Sequence, residues 1–217
     1  MRTKTILFML LAFTFSVVAV QAQQNKKELK KEIKKKATKE ARKEAKKYKK
    51  QDYNVSPGAL PMEKQIETAW MRQYEMDEDG YPLYIVASGN SVANTTSAAK
   101  LQANELAKLE LAGSISTQVA ALIESSIANQ QFNSEEAASV TKTVAAAKSI
   151  IAQELGRTIP LFEIYRTLDN KNVEVNVRIA YNSKKANEVA IRAITKKLEE
   201  ETDIAHDKLE KLMKWDN

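Results

Sequence analysis

Apolar and polar positions change period along this chain, and the changes mark its elements. The strictest stretch runs from Val173 to Tyr181. Val173, Val175, Val177, Ile179 and Tyr181 fall on one side, with Glu174, Asn176 and Arg178 on the other. A period of two over that length predicts a strand. Thr158 to Leu168 (TIPLFEIYRTL) precedes it across Asp169-Asn170-Lys171-Asn172, a short polar turn, so the pair reads as a hairpin. A third strand is expected over Tyr81 to Val92, with Leu83, Ile85 and Ala87 on one face and Tyr84, Val86 and Ser88 on the other. Gly89 within it predicts a bulge or the close approach of another backbone.

Helical periods fill the rest. Pro61 to Met76 carries a face of Ile66, Ala69, Trp70 and Tyr74 and ends at Asp77-Glu78-Asp79-Gly80. Thr96 to Ile127 is a long alanine-rich helix with a face of Ala98, Leu101, Leu109, Ala112, Ser116, Val119, Ile123 and Ile127, and Gly113-Ser114 is a place for a bend. Ser134 is the expected cap of a helix through Val140, Val144, Ala147 and Ile151 to Leu155, stopped at Gly156. Ser183 to Trp215 closes the chain as a helix whose Ile191, Leu198, Ala205 and Leu212 stand seven apart, a coiled-coil-like seam for the sheet or for a partner helix. The order α-β-α-α-β-β-α predicts an α+β fold, a small antiparallel sheet of about three strands covered by long helices.

The first 57 residues follow other rules. Arg2 and Lys4 precede an apolar run from Ile6 to Val20, and Val20-Gln21-Ala22 has the small or branched residues of a cleavage site, so residues 1–22 read as a secretory signal. Lys26 to Lys50 then holds fourteen Lys+Arg against four Glu. Leu29, Ile33, Ala37, Ala41 and Ala45 recur every four residues within it, a thin and mostly alanine stripe. So little apolar surface predicts a fluctuating basic helix, lodged only on an anionic or apolar partner. Residues 23–57 are therefore expected to be a tail, divided by Asp52 to Pro61 (DYNVSPGALP) from a domain over 58–217.

Charge sharpens this division. The formal net charge of +6 averages a tail of +10, a signal of +2 and a body of −6. Lys26, Lys27, Lys30, Lys31, Lys34, Lys35, Lys36, Lys39, Arg42, Lys43, Lys46 and Lys47 are the candidate contacts to an anionic surface, where each is worth about 1 kcal/mol. One Tyr among them offers no stacking ladder, and export separates the tail from the chromosome, so nucleic acid is not an expected partner.

Composition removes much chemistry. With no cysteine there are no disulfides, thiolate metal sites, cysteine nucleophiles or lipid-modified cysteine. Five glycines and one histidine leave little for phosphate loops or histidine metal clusters. His206, between Asp203 and Glu210, reads as part of a solvated charged face rather than a metal site. The acidic turn at Asp77 to Gly80 lacks the alternating ligands and closing Glu of a calcium loop. No cofactor, metal or catalytic residue is assigned.

The stretch YPLYIVASGNSVANTTSAAKLQANELAKLELAGSISTQVAALIESSI resembles the opening of the Lpp-twenty-type family of small outer-membrane lipoproteins. Those begin with a strand ending in a glycine-containing turn, followed by an alanine-rich helix. Ala99, Ala103, Leu106, Ala107, Ile115, Ser116, Thr117 and Val119 occupy the matching run, and FEIYRTLDNKNVEVNVRIAYN fits the closing strands. A similar module occurs in a flagellar outer-ring assembly protein. The resemblance spans about Gly80 to Glu200 and implies an envelope protein without established catalysis, so no site residues carry over. This chain departs from the family in lacking the anchor cysteine, which leaves the basic tail as the candidate attachment.

Together these readings lead to the expectation of an exported, non-enzymatic protein, periplasmic or outer-membrane associated. It binds or scaffolds through its α+β body, with the Lys-rich tail on an anionic membrane, lipopolysaccharide or an envelope protein. One alternative is a helix-mediated subunit of an envelope complex, as a homo- or hetero-oligomer. Another is a hydrolase with an unrecognised carboxylate site.

Overall fold

The computed structural model describes residues 28–29, 31–129 and 133–201. The expected signal, Lys26, Lys27 and Lys30 of the basic stretch, Ala205 and Leu212 of the seam, and His206 lie outside the described residues.

Alternation builds the sheet as expected. Strands β1 (Tyr84–Ala93), β2 (Ile159–Thr167) and β3 (Val173–Asn182) pair antiparallel in the order β1-β3-β2. The β2–β3 turn closes with the Lys171 N–H donating to the Leu168 carbonyl, Lys171 itself taking a positive φ of 65°. Gly89 lies opposite Val177 and Ser88 opposite Arg178, so the odd positions of both strands share one face. Val175, Val177, Ile179 and Ala87 on that face are buried in one core, while Phe162, Ile164 and Ala180 are buried in a second. A register shift between Pro160 and Phe162 lets adjacent Leu161 and Phe162 both join the second core.

Five helices accompany these strands from α2 onward: α2 (Met62–Gln73), α3 (Thr96–Asn129), α4 (Ser134–Ala146), α5 (Lys148–Glu154) and α6 (Ser183–Glu201). Helices α3 to α6 supply the first core. The fold is thus α+β, with a three-stranded antiparallel sheet packed against helices.

Four helical expectations need adjustment. Helix α3 runs unbroken through Gly113-Ser114. Its sheet-facing residues are Ala99, Ala103 and Ala107, all fully buried, whereas Leu101 is 65% and Leu109 40% exposed. The reason is at Gly89, where an added Cβ would lie 1.9 Å from the Ala103 carbonyl oxygen and 2.7 Å from the Ala107 nitrogen. Backbone meets backbone there, and only small side chains fit the adjoining interface. The helix expected from Ser134 to Leu155 is divided at Ala147, whose N–H turns to the Val144 carbonyl three residues back. Its cap is Asn133, not Ser134. Asn133 Oδ1 accepts from the Glu135 and Glu136 N–H groups, and the Glu136 carboxylate accepts from the Asn133 N–H.

The largest difference concerns the basic stretch. Residues 31–49 form helix α1, and Ala37, Ala41 and Ala45 are 0–1% exposed. Ala41 and Ala45 join the second core with Ile66, Ala69, Phe162 and Ile164. The thin stripe suffices because its partners are large. Bulky side chains from α2 and the sheet provide the apolar area, and alanine lets the helix come close. Residues 52–55 continue this attachment, Asn54 exchanging two backbone hydrogen bonds with Tyr165 of β2 at 2.7 and 2.9 Å. Rather than waiting for a partner, α1 is lodged on its own sheet, which lies between α1–α2 and α3–α6.

Candidate anionic-surface interface and adjoining groove

Docking α1 by its alanines orients everything else on it. At 3.6 residues per turn, Lys35, Lys39, Arg42 and Lys46 stand on the face opposite Ala37, Ala41 and Ala45, and Lys50 follows in the turn just past the helix. Lys31, Lys36, Lys43, Lys47 and Lys49 flank them, and all ten are exposed. The helix is about 28 Å long at ~1.5 Å per residue. The result is a basic face interrupted by Glu32, with the partly exposed Glu40 at its margin.

Few of these cations are neutralised. Lys43 pairs with Glu40 at 3.0 Å, Lys49 with Glu63 at 2.5 Å, and Lys36 lies 5.7 Å from the Tyr74 ring centre. Lys31, Lys35, Lys39, Arg42, Lys46 and Lys47 make no ion pair with another described residue. Lys34, also exposed, lies nearer the docked side, where its carbonyl accepts from Thr38.

Behind the basic face a groove of about 570 Å³ opens between α1, α2 and the sheet, lined by Glu44, Lys47, Tyr48, Trp70, Val86 and Arg178 among others. Its central group is Glu44. One carboxylate oxygen takes Arg178 Nη2 at 2.9 Å and the other takes the Trp70 indole N–H at 2.8 Å. The Arg178 guanidinium also lies 5.5 Å from the Phe162 ring centre, and Trp70 stacks on Tyr74. Burial pushes the Tyr48 hydroxyl above its ordinary pKa, and the Glu44 charge adds to this against the opposing pull of Arg178. Both oxygens of Glu44 are thereby committed to joining α1, α2 and β3, a positioning arrangement that keeps the lysines outward.

A second clasp holds the residues after α1. Arg166 Nε binds Glu174 at 2.6 Å, lies over the Tyr53 ring at 4.8 Å and reaches the Gln51 carbonyl. Burial alone pushes the Glu174 carboxyl up, but hydrogen bonds from Arg166, Asn90 and Tyr53 outweigh it and hold it below the usual carboxylate range.

The seam residues fall differently. Leu198 is fully buried and Ile191 packs against the first core, so within the described part of α6 the seam faces the chain's own body. Glu44, Trp70 and Arg178 were not anticipated as a set. The local hints were a glutamate flanking the alanine stripe and an arginine on the polar side of β3. Among the described residues, no group of three His, Asp or Glu is placed to hold a metal ion, and no helix is long and apolar enough to cross a membrane.

No protein-family model matches the chain, and no curated protein or solved structure matches it significantly. These comparisons therefore provide no link to the Lpp-twenty-type lipoproteins or the flagellar ring protein.

Proposed function

We propose that this is an exported, non-enzymatic envelope protein that binds an anionic surface through α1 and carries its α+β body there as a scaffold. The observation behind this reading is the basic face itself: nine exposed cations on a helix whose opposite side is buried, with Lys50 just past its end. A docked helix holds its charges in one direction without the ordering cost a free tail would meet on binding. With about 1 kcal/mol per lysine near an anionic bilayer, even half of these contacts give a firm, salt-sensitive attachment.

Co-sedimentation with vesicles containing phosphatidylglycerol, with lipopolysaccharide as a parallel arm, tests the reading. Binding is expected at low ionic strength and collapses at high ionic strength. Salt-independent binding, or none to either anionic surface, removes it. Deleting Lys26 to Lys50 is a poor control because it strips Ala41, Ala45 and Tyr48 from the second core and removes the buried Ala37. Substitutions confined to the outer face leave that core intact.

A further inference from the structure

The sheet has two edges, and they are treated differently. On β2 the outer edge is bridged by Asn54, which pairs with Tyr165 in both directions. On β1 no strand is paired outside it among the described residues. The Ser88 N–H points away from β3 and is taken by the Glu110 carboxylate of α3 at 3.0 Å. Backbone direction alternates along a strand, so the N–H and C=O groups of Val86 and Asn90 face outward with those of Ser88.

Two surfaces flank this edge. On one side is the groove, to which Val86 and Ser88 contribute. On the other is α3, where Leu106 stands one turn before Glu110 and Leu109 beside it, 46% and 40% exposed. A strand added to β1 would alternate its side chains between the groove and these leucines, as in β-strand addition.

Glu110 selects among occupants. A second copy pairing through β1 across a two-fold axis near Ser88 would bring two Glu110 carboxylates together, a like-charge contact that opposes edge-to-edge self-association. A strand with Lys or Arg on its α3-facing side, opposite Ala87 or Gly89, would instead neutralise Glu110 and free the Ser88 N–H to join the ladder. We infer that the β1 edge is a docking site for an extended segment of another protein, one with a basic residue flanked by apolar residues at every second position on the α3-facing side.

The test uses the full chain and two synthetic peptides, Thr-Leu-Thr-Lys-Thr-Leu-Thr and its counterpart with Glu replacing Lys. Binding is followed by calorimetry and by hydrogen exchange at Val86 and Asn90. The Lys peptide is expected to bind at least about tenfold more tightly than the Glu peptide, and to protect both amides. Glu110→Lys should transfer the preference to the Glu peptide, and Glu110→Gln should abolish it. Circular dichroism checks that each variant folds, Glu110 being exposed. Absence of binding by either peptide, equal affinities, or unprotected Val86 and Asn90 amides overturns the inference. Sedimentation showing a dimer that protects the same amides overturns it too, in favour of a second copy. None of these outcomes depends on the anionic-surface reading.

Discussion

Replacing Gly89 by alanine places one methyl group where β1 and α3 touch through their backbones. The new carbon would lie 1.9 Å from the Ala103 carbonyl oxygen, about 1.5 Å inside the 3.4 Å at which ordinary contact begins. Neither obstacle can rotate away, because the Ala103 oxygen and the Ala107 nitrogen are main-chain atoms within α3. Accommodation requires the helix to retreat along the Ala99–Ala103–Ala107 interface. A gap of ~0.5–1 Å already forfeits a quarter to a half of each contact's dispersion energy. Overpacking a tight site costs typically about 1–3 kcal/mol and occasionally more. Against this stands a gain of roughly 0.4–1 kcal/mol from restricting the unfolded chain. We expect a net loss of about 2 kcal/mol, read in urea unfolding as a lower midpoint with unchanged slope. Adding Ala103→Gly should not rescue the variant, because the clash is with backbone and a new helix glycine costs about a further 1 kcal/mol. A loss below about 1 kcal/mol, or rescue by Ala103→Gly, would refute the close-approach argument.

Further outcomes follow from α1 and its clasps. Ala41→Asp buries an unpaired charge in the second core and should cost at least about 2 kcal/mol, with faster proteolysis within residues 31–49. Lys39→Gln on the outer face should change stability by no more than about 0.5 kcal/mol. Glu44→Gln keeps an acceptor for Trp70 but leaves the Arg178 guanidinium without its counter-charge, a loss of about 1–3 kcal/mol in thermal unfolding. The same change should lower the Tyr48 hydroxyl pKa in an ultraviolet titration while burial keeps it above the ordinary value. Glu67, hydrogen-bonded by Lys64 and then Thr38, and Glu63, bonded by Lys49, are both held below the usual carboxylate range. A depressed folded pKa contributes stability above the unfolded value of about 4.3, and that contribution is lost as pH falls through the folded value. Thermal midpoints should therefore fall below about pH 4.5, and less steeply in Glu67→Gln.

The parts of the fold legible in the sequence were those where one rule dominated. Val173 to Tyr181 alternates so regularly that its strand, its inward face and its hairpin partner follow. Gly89 pointed to a bulge or a close approach, and the structure supplies the second, the α3 backbone. The face of α3 was less legible because hydrophobicity and proximity conflict there. Leu101 and Leu109 carry the stronger apolar signal, but the tightest contact admits only Ala99, Ala103 and Ala107. The same conflict concealed the docking of α1. Three alanines carry little transfer energy alone, and the burial of Ala41 and Ala45 depends on Ile66, Phe162 and Ile164, whose positions a local window cannot reveal. The Glu44 cluster is harder still, since Arg178 is 134 residues away in sequence. The basic residues themselves were plain from composition. Their common direction was not, because it depends on which face of α1 is buried.

That direction is the central claim, and a triple substitution on the outer face tests it. Lys35→Gln, Lys39→Gln and Lys46→Gln remove three charges opposite the docked alanines. At about 1 kcal/mol per lysine, they should weaken binding to phosphatidylglycerol vesicles at low salt by roughly a hundredfold or more. The variant should keep the thermal midpoint of the parent chain. Undiminished vesicle affinity in a folded triple variant would contradict the account.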